Sequence, residues 1–344
     1  MKNRWRKILD ELRVLIVLII VAFTVKATLV EIYVVPTGSM ENTILTGDML
    51  IGNKFIYGMR TPTWIGLPWS RIGFDIPWFR LPGFKKISNG DVTIFEFPRD
   101  PFQKYVKRCI GIPGDSIYVT NGDIFINNIK MDFPKEGKYL KGYTYKSDKK
   151  EKLYTAFNGN RDNMDGFEVP YKGMRVDFEN IKDWQSTIIL LVQDGNSVKL
   201  GDNEFTMIDP YEISRTRGFL KNKLLRLFTS DRDAAMREQK ENTNFINNLN
   251  FKYRKNKLIN PWHVNLALQN SSYLKNNISI NGVLIKDIEN YYVKNNYYFF
   301  IGDNRDSSYD SRFWGFVPHD QILGTPLFAI LNLFKFKLRL KVIS

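Results

Sequence analysis

The sequence predicts a mainly β protein with an inserted second domain, preceded by one N-terminal transmembrane helix. Short runs rich in valine, isoleucine and aromatic residues, separated by Gly-Asp and Pro-Gly pairs, predict strands joined by turns. A lysine- and asparagine-rich stretch interrupts this pattern between about residues 130 and 277, and strand-like patterning returns at Ile278. A basic N-terminal flank followed by an apolar run predicts the membrane helix.

The predicted span extends from Leu12 to Val30. Residues 14–25 carry no polar side chain except Thr24. A span needs ~20 apolar residues, so the alternatives are a cleaved signal peptide or a buried helix. We favour a span because apolar residues resume after Lys26, whose long stem can carry its ammonium group to the interface, and no small-x-small cleavage pattern follows. The basic flank then stays cytoplasmic, and the remainder of the chain lies outside.

Composition excludes several classes of protein. Hydrophobic residues make up 43% and charged residues 25% of the chain, which argues against wholesale disorder. A net charge of +14 suits anionic lipid, nucleic acid or a solvated basic surface. The single cysteine, Cys109, excludes an intramolecular disulfide, and only His263 and His319 are available for a zinc site or a Ser-His-Asp triad. We therefore expect no metal and no cofactor, and a catalytic base other than histidine.

Three segments place small, hydroxyl-bearing and charged residues at turns. Residues 36–40 follow an apolar strand and put Ser39 next to a glycine, although a Thr-Gly-Ser triplet alone is typical of an ordinary turn. Residues 107–115 end a strand-like run at a Pro-Gly turn. Residues 302–312 follow another apolar run and combine hydroxyls with opposite charges.

In this order, the motifs resemble those of the type I signal peptidases, also called leader peptidases. The resemblance covers about residues 1–128 and 278–326, and the region between them does not enter it. It is carried by the apolar anchor, Ser39-Met40, Gly47-Asp48, Lys107-Arg108 and the Gly-Asp-Asn-Arg run that starts at Gly302.

The resemblance implies an antiparallel β-sheet catalytic domain of signal-peptidase type with a Ser/Lys dyad. Ser39 would attack the scissile carbonyl, and Lys107 would take its proton as general base. By the same resemblance, Ser308 would orient the lysine nitrogen, and Asp310 with Arg312 would form an ion pair that holds this segment in place.

A lysine must be neutral to act as a base. An unperturbed lysine titrates near ~10.4, so neutrality at pH 7 requires a pKa lower by about 3.4, or roughly 4.6 kcal/mol. Burial supplies decreases of that size, and Val106, Ile110 and the substrate would provide the dry surroundings. For the oxyanion, the resemblance implies the backbone N–H of Ser39 and the hydroxyl of Thr37. Threonine departs from the commoner serine at that position, and its methyl group restricts χ1.

The resemblance also implies the partners and the location of the protein. Its substrates would be preprotein signal peptides with small residues, typically alanine, at the first and third positions before the cut. The protein would be a single-pass protein of the cytoplasmic (inner) membrane, with a cytoplasmic N-terminus and an extracytoplasmic catalytic domain. No nucleic acid is expected, and the protein export machinery is a candidate partner. The alternative function is a non-catalytic, membrane-anchored peptide-binding protein that retains the fold.

Two other Ser/Lys patterns are not favoured. Ser147-x-x-Lys150 and Ser272-x-x-Lys275 fit the pattern of penicillin-binding enzymes, but no Ser-Asp-Asn or Lys-Thr-Gly partner is present. Self-cleaving SOS repressors use a Ser/Lys dyad but need a DNA-binding module where this chain has an apolar run.

The predicted organisation has five parts. They are a basic flank and membrane anchor (1–31), the first part of the catalytic domain (32–129), the inserted domain (130–277), the second part of the catalytic domain (278–326) and a basic amphipathic tail (327–344). Within the inserted domain a helix is expected from Asp231 to Gln239, with Leu220, Leu224 and Phe228 at helical spacing before it.

Two further segments are candidates for contact with the membrane surface. Residues 64–84 mix aromatic rings with prolines, glycines, Arg71 and Arg80, as interfacial segments do; an ordinary packed loop is the alternative. Residues 334–342 alternate apolar and basic side chains, which predicts a strand with one apolar and one basic face, unless the lysines protect a sheet edge. The aromatic residues of the first segment are Trp64, Trp69, Phe74, Trp78, Phe79 and Phe84.

Overall fold

Antiparallel strands are the main element of the described structure, and this confirms the predicted mainly β fold. Gly-Asp turns separate many of them: Gly90 and Gly114 have φ angles of 93° and 88°, a region that glycine adopts without strain. The computed structural model describes residues 10–19, 21, 29–66, 73–140, 144–216, 231–264, 266 and 270–343.

The strands are numbered along the chain. The first eleven are β1 (Val30–Val34), β2 (Asp48–Asn53), β3 (Trp64–Gly66), β4 (Gly73–Asp75), β5 (Val92–Phe97), β6 (Asp100–Gly111), β7 (Ser116–Thr120), β8 (Asp123–Ile126), β9 (Ile129–Lys130), β10 (Gly159–Asn160) and β11 (Asn163–Glu168). The others are β12 (Arg175–Val176), β13 (Val198–Leu200), β14 (Asn203–Phe205), β15 (Leu258–Ile259), β16 (Ile278–Ile280), β17 (Val283–Leu284), β18 (Tyr291–Tyr292), β19 (Tyr297–Ile301), β20 (Val317–Pro318), β21 (Ile322–Asn332) and β22 (Lys337–Val342).

The main sheet joins strands from both ends of the chain. Within the described residues its order is β1-β2-β21-β5-β6-β19-β20, and β22 pairs with β21. Strands β5 and β19 are buried along their whole length, so both of their faces are covered. Phe95 of β5 stacks on Phe300 of β19 at a ring-centroid distance of 4.5 Å. Burying each such ring contributes about 1.5–3 kcal/mol to stability.

Two smaller sheets connect the predicted inserted region to the rest of the fold. Strands β10 and β11 pair in the order β10-β11-β7-β8-β9, so they extend a sheet that begins before residue 130. A second sheet has the order β15-β14-β13-β16-β17, in which β16 follows residue 277 and pairs with β13. The boundaries at residues 130 and 277 stay predictions, and strand pairs run across both of them.

The described helices are few, and several lie between residues 180 and 280. The helix expected at Asp231 is present and extends further, to Lys255; Leu220, Leu224 and Phe228 lie outside the described residues. Beyond the N-terminal segment, the described α-helices are α1 (Trp184–Gln193), α2 (Pro210–Thr216), α3 (Asp231–Lys255), α4 (Ser271–Asn277) and α5 (Ser311–Trp314).

The N-terminal segment is described only in part. Residues 10–19 are helical, whereas residues 20 and 22–28 of the predicted span lie outside the described residues. Among the helices that can be described, none is both long enough and apolar enough to cross a bilayer.

The predicted C-terminal strand is present as β22, with its apolar side chains outward. Leu338, Leu340 and Val342 are 61%, 69% and 65% exposed. The basic residues between them instead contact acids: Arg339 lies 3.2 Å from Asp48, and Lys341 pairs with Glu136.

The aromatic segment divides between surface and packing. Phe74 and Phe84 are exposed, whereas Trp64 packs edge-on against Phe102 at 5.1 Å. Arg80 is not a surface charge, since it donates hydrogen bonds to backbone carbonyls, including that of Ile322 at 2.6 Å. Trp69 and Arg71 lie outside the described residues.

Candidate active site

Ser39 lies in the turn that follows β1, and it is buried. Its backbone carbonyl accepts a hydrogen bond from the N–H of Asn304 at 3.1 Å, and the carbonyl of Gly38 accepts one from the Asn304 side chain at 2.9 Å. A Cβ atom at Gly302 would lie 2.5 Å from the Ser39 carbonyl oxygen. The segment after β19 therefore needs glycine at 302 to pack against the serine turn.

Lys107, on β6, points at this serine. Its Nζ atom lies 2.5 Å from Ser39 Oγ, within hydrogen-bond distance. The Tyr105 ring lies 5.3 Å from the same nitrogen. Lys107 is only 4% exposed, and burial, with a smaller opposing effect of Asp310, lowers its pKa from 10.5 to about 8. A substantial fraction of this amine is thus neutral near pH 8.

Asp303 connects the two sides of the site. Its carboxylate accepts two hydrogen bonds from Arg108, at 2.9 and 2.8 Å, and one from the Thr43 hydroxyl at 2.5 Å. Arg108 follows Lys107 in β6, and Thr43 follows the serine turn. One buried carboxylate therefore fixes the position of both segments.

Asp310 and Arg312 form the ion pair that the resemblance implied, with Arg312 Nε 2.8 Å from Asp310 Oδ1. Both side chains are buried. Burial alone would raise the pKa of Asp310, but the charge and hydrogen bonds of Arg312 outweigh it and lower the pKa. The N–H of Gly302 also donates to Asp310, at 3.1 Å. Ser308 is buried here, and its hydroxyl makes no hydrogen bond to Lys107; its orienting role stays a prediction.

A cleft of about 630 Å³ opens onto Ser39 and Lys107. One wall is the edge strand β1, and another is β6. Thr37 is exposed on this cleft, so its hydroxyl is accessible from it. Apolar side chains beside the serine are Met40, Ile44 and Val106, and further lining residues are Gln103, Tyr105 and Tyr309.

Several residues that shape the site were not singled out from the sequence. Asp303 and Asn304 stand within the Gly-Asp-Asn-Arg run, so the motif itself carried the signal. Tyr105 gave a weaker signal: it stands two residues before Lys107 in a strand-like run, and residues at that spacing share a face of the strand. Ile110, expected to help desolvate Lys107, packs instead in a core with Ile117 and Phe299.

The model of the signal peptidase family, peptidase S26, matches residues 8–225 and 237–331. The chain belongs to the signal peptidase family. The expectation that residues 129–277 lie outside the resemblance was wrong, because the family match runs through most of them. The motifs could not indicate that this stretch belongs to the family, because it carries no catalytic motif.

Similar members of the signal peptidase family come from Rickettsia. A protein named signal peptidase I of Rickettsia bellii (strain OSU 85-389) is 34% identical over 179 residues, which are 47% of this chain and 60% of that protein. Signal peptidase I of Rickettsia massiliae (strain Mtu5) is 34% identical over 170 residues, 44% of this chain and 61% of the relative. The chain thus spans about three-fifths of the length of the curated relatives it matches.

Proposed function

We propose that this protein is a membrane-bound serine endopeptidase that removes signal peptides from exported preproteins. The observation that carries the proposal is the 2.5 Å distance between Ser39 Oγ and Lys107 Nζ at the end of a cleft. Membership of the signal peptidase family and relatives named signal peptidase I support the same activity. In this proposal the N-terminal segment spans the cytoplasmic membrane once, and the sheets lie on its outer side.

The proposed reaction uses Ser39 as nucleophile and Lys107 as general base. The neutral amine takes the proton from Ser39 Oγ as that oxygen attacks the scissile carbonyl carbon. The former carbonyl oxygen, now negatively charged in the tetrahedral intermediate, accepts hydrogen bonds from the Ser39 N–H and the Thr37 hydroxyl. The protonated amine then gives its proton to the leaving nitrogen, and the neutral amine activates water to release the acyl group.

Substrate binding in this proposal relies on the edge of β1. Among the described strands, β1 pairs with β2 alone, so its other edge can pair with an extended peptide. Ile32 and Val34 of β1 are 58% and 48% exposed and, with Val106, give the cleft an apolar lining, which suits small residues around the scissile bond. Asp310 and Arg312 support the segment behind the dyad, and Ser308 is proposed to orient the lysine nitrogen.

Incubation of the purified full chain with a preprotein tests the proposal. We expect one cut after a small-x-small sequence, and no cut with Ser39→Ala. Lys130→Ala, which removes an exposed lysine paired with Asp123, is the control and should cleave normally. Cleavage that survives Ser39→Ala would overturn the proposal.

A further inference from the structure

One short helix of the region between residues 130 and 277 reaches the wall of the cleft. Helix α2 carries Glu212, which is buried. Its backbone carbonyl accepts a hydrogen bond from Gln103 Nε2 at 3.2 Å, and its carboxylate accepts one from the Tyr309 hydroxyl at 3.3 Å. Gln103 and Tyr309 both line the cleft that holds the dyad. Two cleft side chains are therefore hydrogen-bonded to this helix.

The Tyr309 side chain is held at both of its ends. Its hydroxyl accepts a hydrogen bond from Arg99 at 2.8 Å while it donates to Glu212, which fixes the orientation of the O–H. Its ring lies against Phe313, with centroids 5.9 Å apart, and against Phe97, with centroids 6.3 Å apart. A ring fixed in this way gives that part of the cleft a rigid shape.

Arg99 is itself anchored by the residue that precedes α2. It forms a buried ion pair with Asp209, and its guanidinium lies 4.8 Å from the centre of the Trp262 ring. Burial would raise the pKa of Asp209, but a hydrogen bond from His263 and the charge of Arg99 lower it to about 2. The pair stays charged at neutral pH. A buried ion pair often adds little to stability compared with apolar residues in its place. The clearer effect of the Arg99–Asp209 pair is that it holds the Arg99 guanidinium in the orientation that donates to Tyr309.

We propose that Asp209 and Glu212 are positioning residues for substrate selection. Glu212 accepts from the Tyr309 hydroxyl and Asp209 holds Arg99, which donates to that hydroxyl, so the two acids fix Tyr309 and thereby set which side chains near the scissile bond the cleft accepts. The inference rests on the proposed peptidase function and deepens it, because it assigns the region between residues 130 and 277 a role in specificity.

Peptide preference of the full-length protein tests this inference. The probes are two peptides that differ only in alanine or valine at the third position before the cut. Glu212→Ala and Tyr309→Phe should each raise kcat/KM for the valine peptide relative to the alanine peptide by roughly tenfold, the factor expected for loss of one hydrogen bond to a charged group. Glu212→Gln keeps an acceptor for the tyrosine hydroxyl and should keep the wild-type preference.

A double variant separates positioning from general damage. Glu212→Ala with Tyr309→Phe should shift the preference no more than Tyr309→Phe alone, because the loss of the hydroxyl already removes the hydrogen bond to Glu212. Asp202→Ala removes an exposed acid of the same region, paired with Lys257, and should shift nothing.

Additive shifts, or unchanged preference in the active variants, would overturn the inference. If Glu212→Ala does not fold, Tyr309→Phe decides, since it keeps the ring, and an unchanged preference then counts against us. The absence of Ser39-dependent cleavage by the wild type would instead contradict the proposed function, so the two failures are distinguishable.

Discussion

Arg108 donates two hydrogen bonds to Asp303, at 2.9 and 2.8 Å, and so ties the residue after Lys107 to the segment after β19. The Thr43 hydroxyl donates to the same carboxylate. The geometry of the dyad therefore depends on a carboxylate that does not contact either dyad atom. Such fixed geometry matters because a displacement of about 1 Å can cost a hundredfold in rate.

Asp303→Asn tests this dependence. Asparagine keeps one acceptor oxygen and puts an NH2 donor in place of the other, so it cannot accept the Arg108 hydrogen bonds on two oxygens, and we expect kcat to fall roughly 10- to 100-fold with little change in KM. Steady-state kinetics on a signal-peptide substrate measures both constants. Asp123→Asn, an exposed change on β8, is the matched control. A variant with wild-type kcat would show that the dyad is positioned without this carboxylate.

The pH dependence of cleavage reports on Lys107. Because the neutral amine is the active form, kcat/KM should rise with pH and level off above a pKa of about 8. Lys107→Ala and Lys107→Arg should both lose at least ~10³-fold, since arginine stays protonated. A rate that still climbs near pH 10 would contradict a lowered pKa.

The candidate site residues were more predictable from the sequence than the pairing of the strands around them. Ser39 and Lys107 were predicted because their motifs are local, and the fold brings their side chains within 2.5 Å of each other. Thr37 is placed on the cleft, but its part in the oxyanion hole concerns a transition state and stays a prediction. Sheet pairings such as β11 with β7 could not be predicted, because no local pattern records which distant strand is the partner.

Side-chain direction was the other limit of sequence reasoning. The alternation of residues 334–342 predicts a strand, and β22 is one. It does not say which face is covered. Arg339 and Lys341 find acids at Asp48 and Glu136, which come from distant parts of the chain, so the apolar residues face outward. Arg80 is a similar case, since its carbonyl partners are also distant in sequence.

The Asp310–Arg312 pair should matter for stability. Arg312→Met leaves a buried carboxylate without its partner, so the free energy of unfolding should fall by about 3–5 kcal/mol at pH 7. The folded pKa of Asp310 is lowered, so its stabilisation is present above the unfolded value near ~3.9 and is lost as pH falls through the folded pKa. Urea unfolding at several pH values measures this.

The difference between wild type and Arg312→Met should shrink as the pH falls below ~4, because the variant's carboxyl is then neutral. Lys130→Ala breaks the exposed pair with Asp123 and should change stability by less than about 1 kcal/mol. A loss for Arg312→Met that stays constant down to pH 2 would point to packing rather than charge.

The cleft beside Ser39 should select small residues. A peptide with alanine at the first and third positions before the cut should be cleaved, and tryptophan at either position should reduce kcat/KM at least a hundredfold through steric exclusion. Val106→Ala should increase the relative rate for valine at the first position, because Val106 lines the cleft and is only partly buried. Ile129→Ala, on the exposed strand β9, is the control. Equal cleavage of tryptophan and alanine peptides would refute this specificity.

The outward apolar face of β22 should bind a lipid surface. Leu338, Leu340 and Val342 are more than half exposed, and burying such side chains contributes up to about 1.5–3 kcal/mol each. A truncated protein that begins at Leu29 keeps β1 whole and should still bind vesicles of anionic lipid in a flotation assay. Changing the three residues to serine should weaken binding at least tenfold.

Salt and a matched variant identify the force involved. Arg339 and Lys341 form ion pairs with Asp48 and Glu136, so apolar contact should dominate the binding to lipid. Binding should therefore fall only modestly as added salt shortens the Debye length from about 30 to 8 Å. Ile129→Ser removes an apolar side chain that is 74% exposed on another sheet and should leave binding unchanged. If the truncated protein stays in solution at low salt, or if Ile129→Ser weakens binding as much as the triple change, the exposed face of β22 is not a membrane surface.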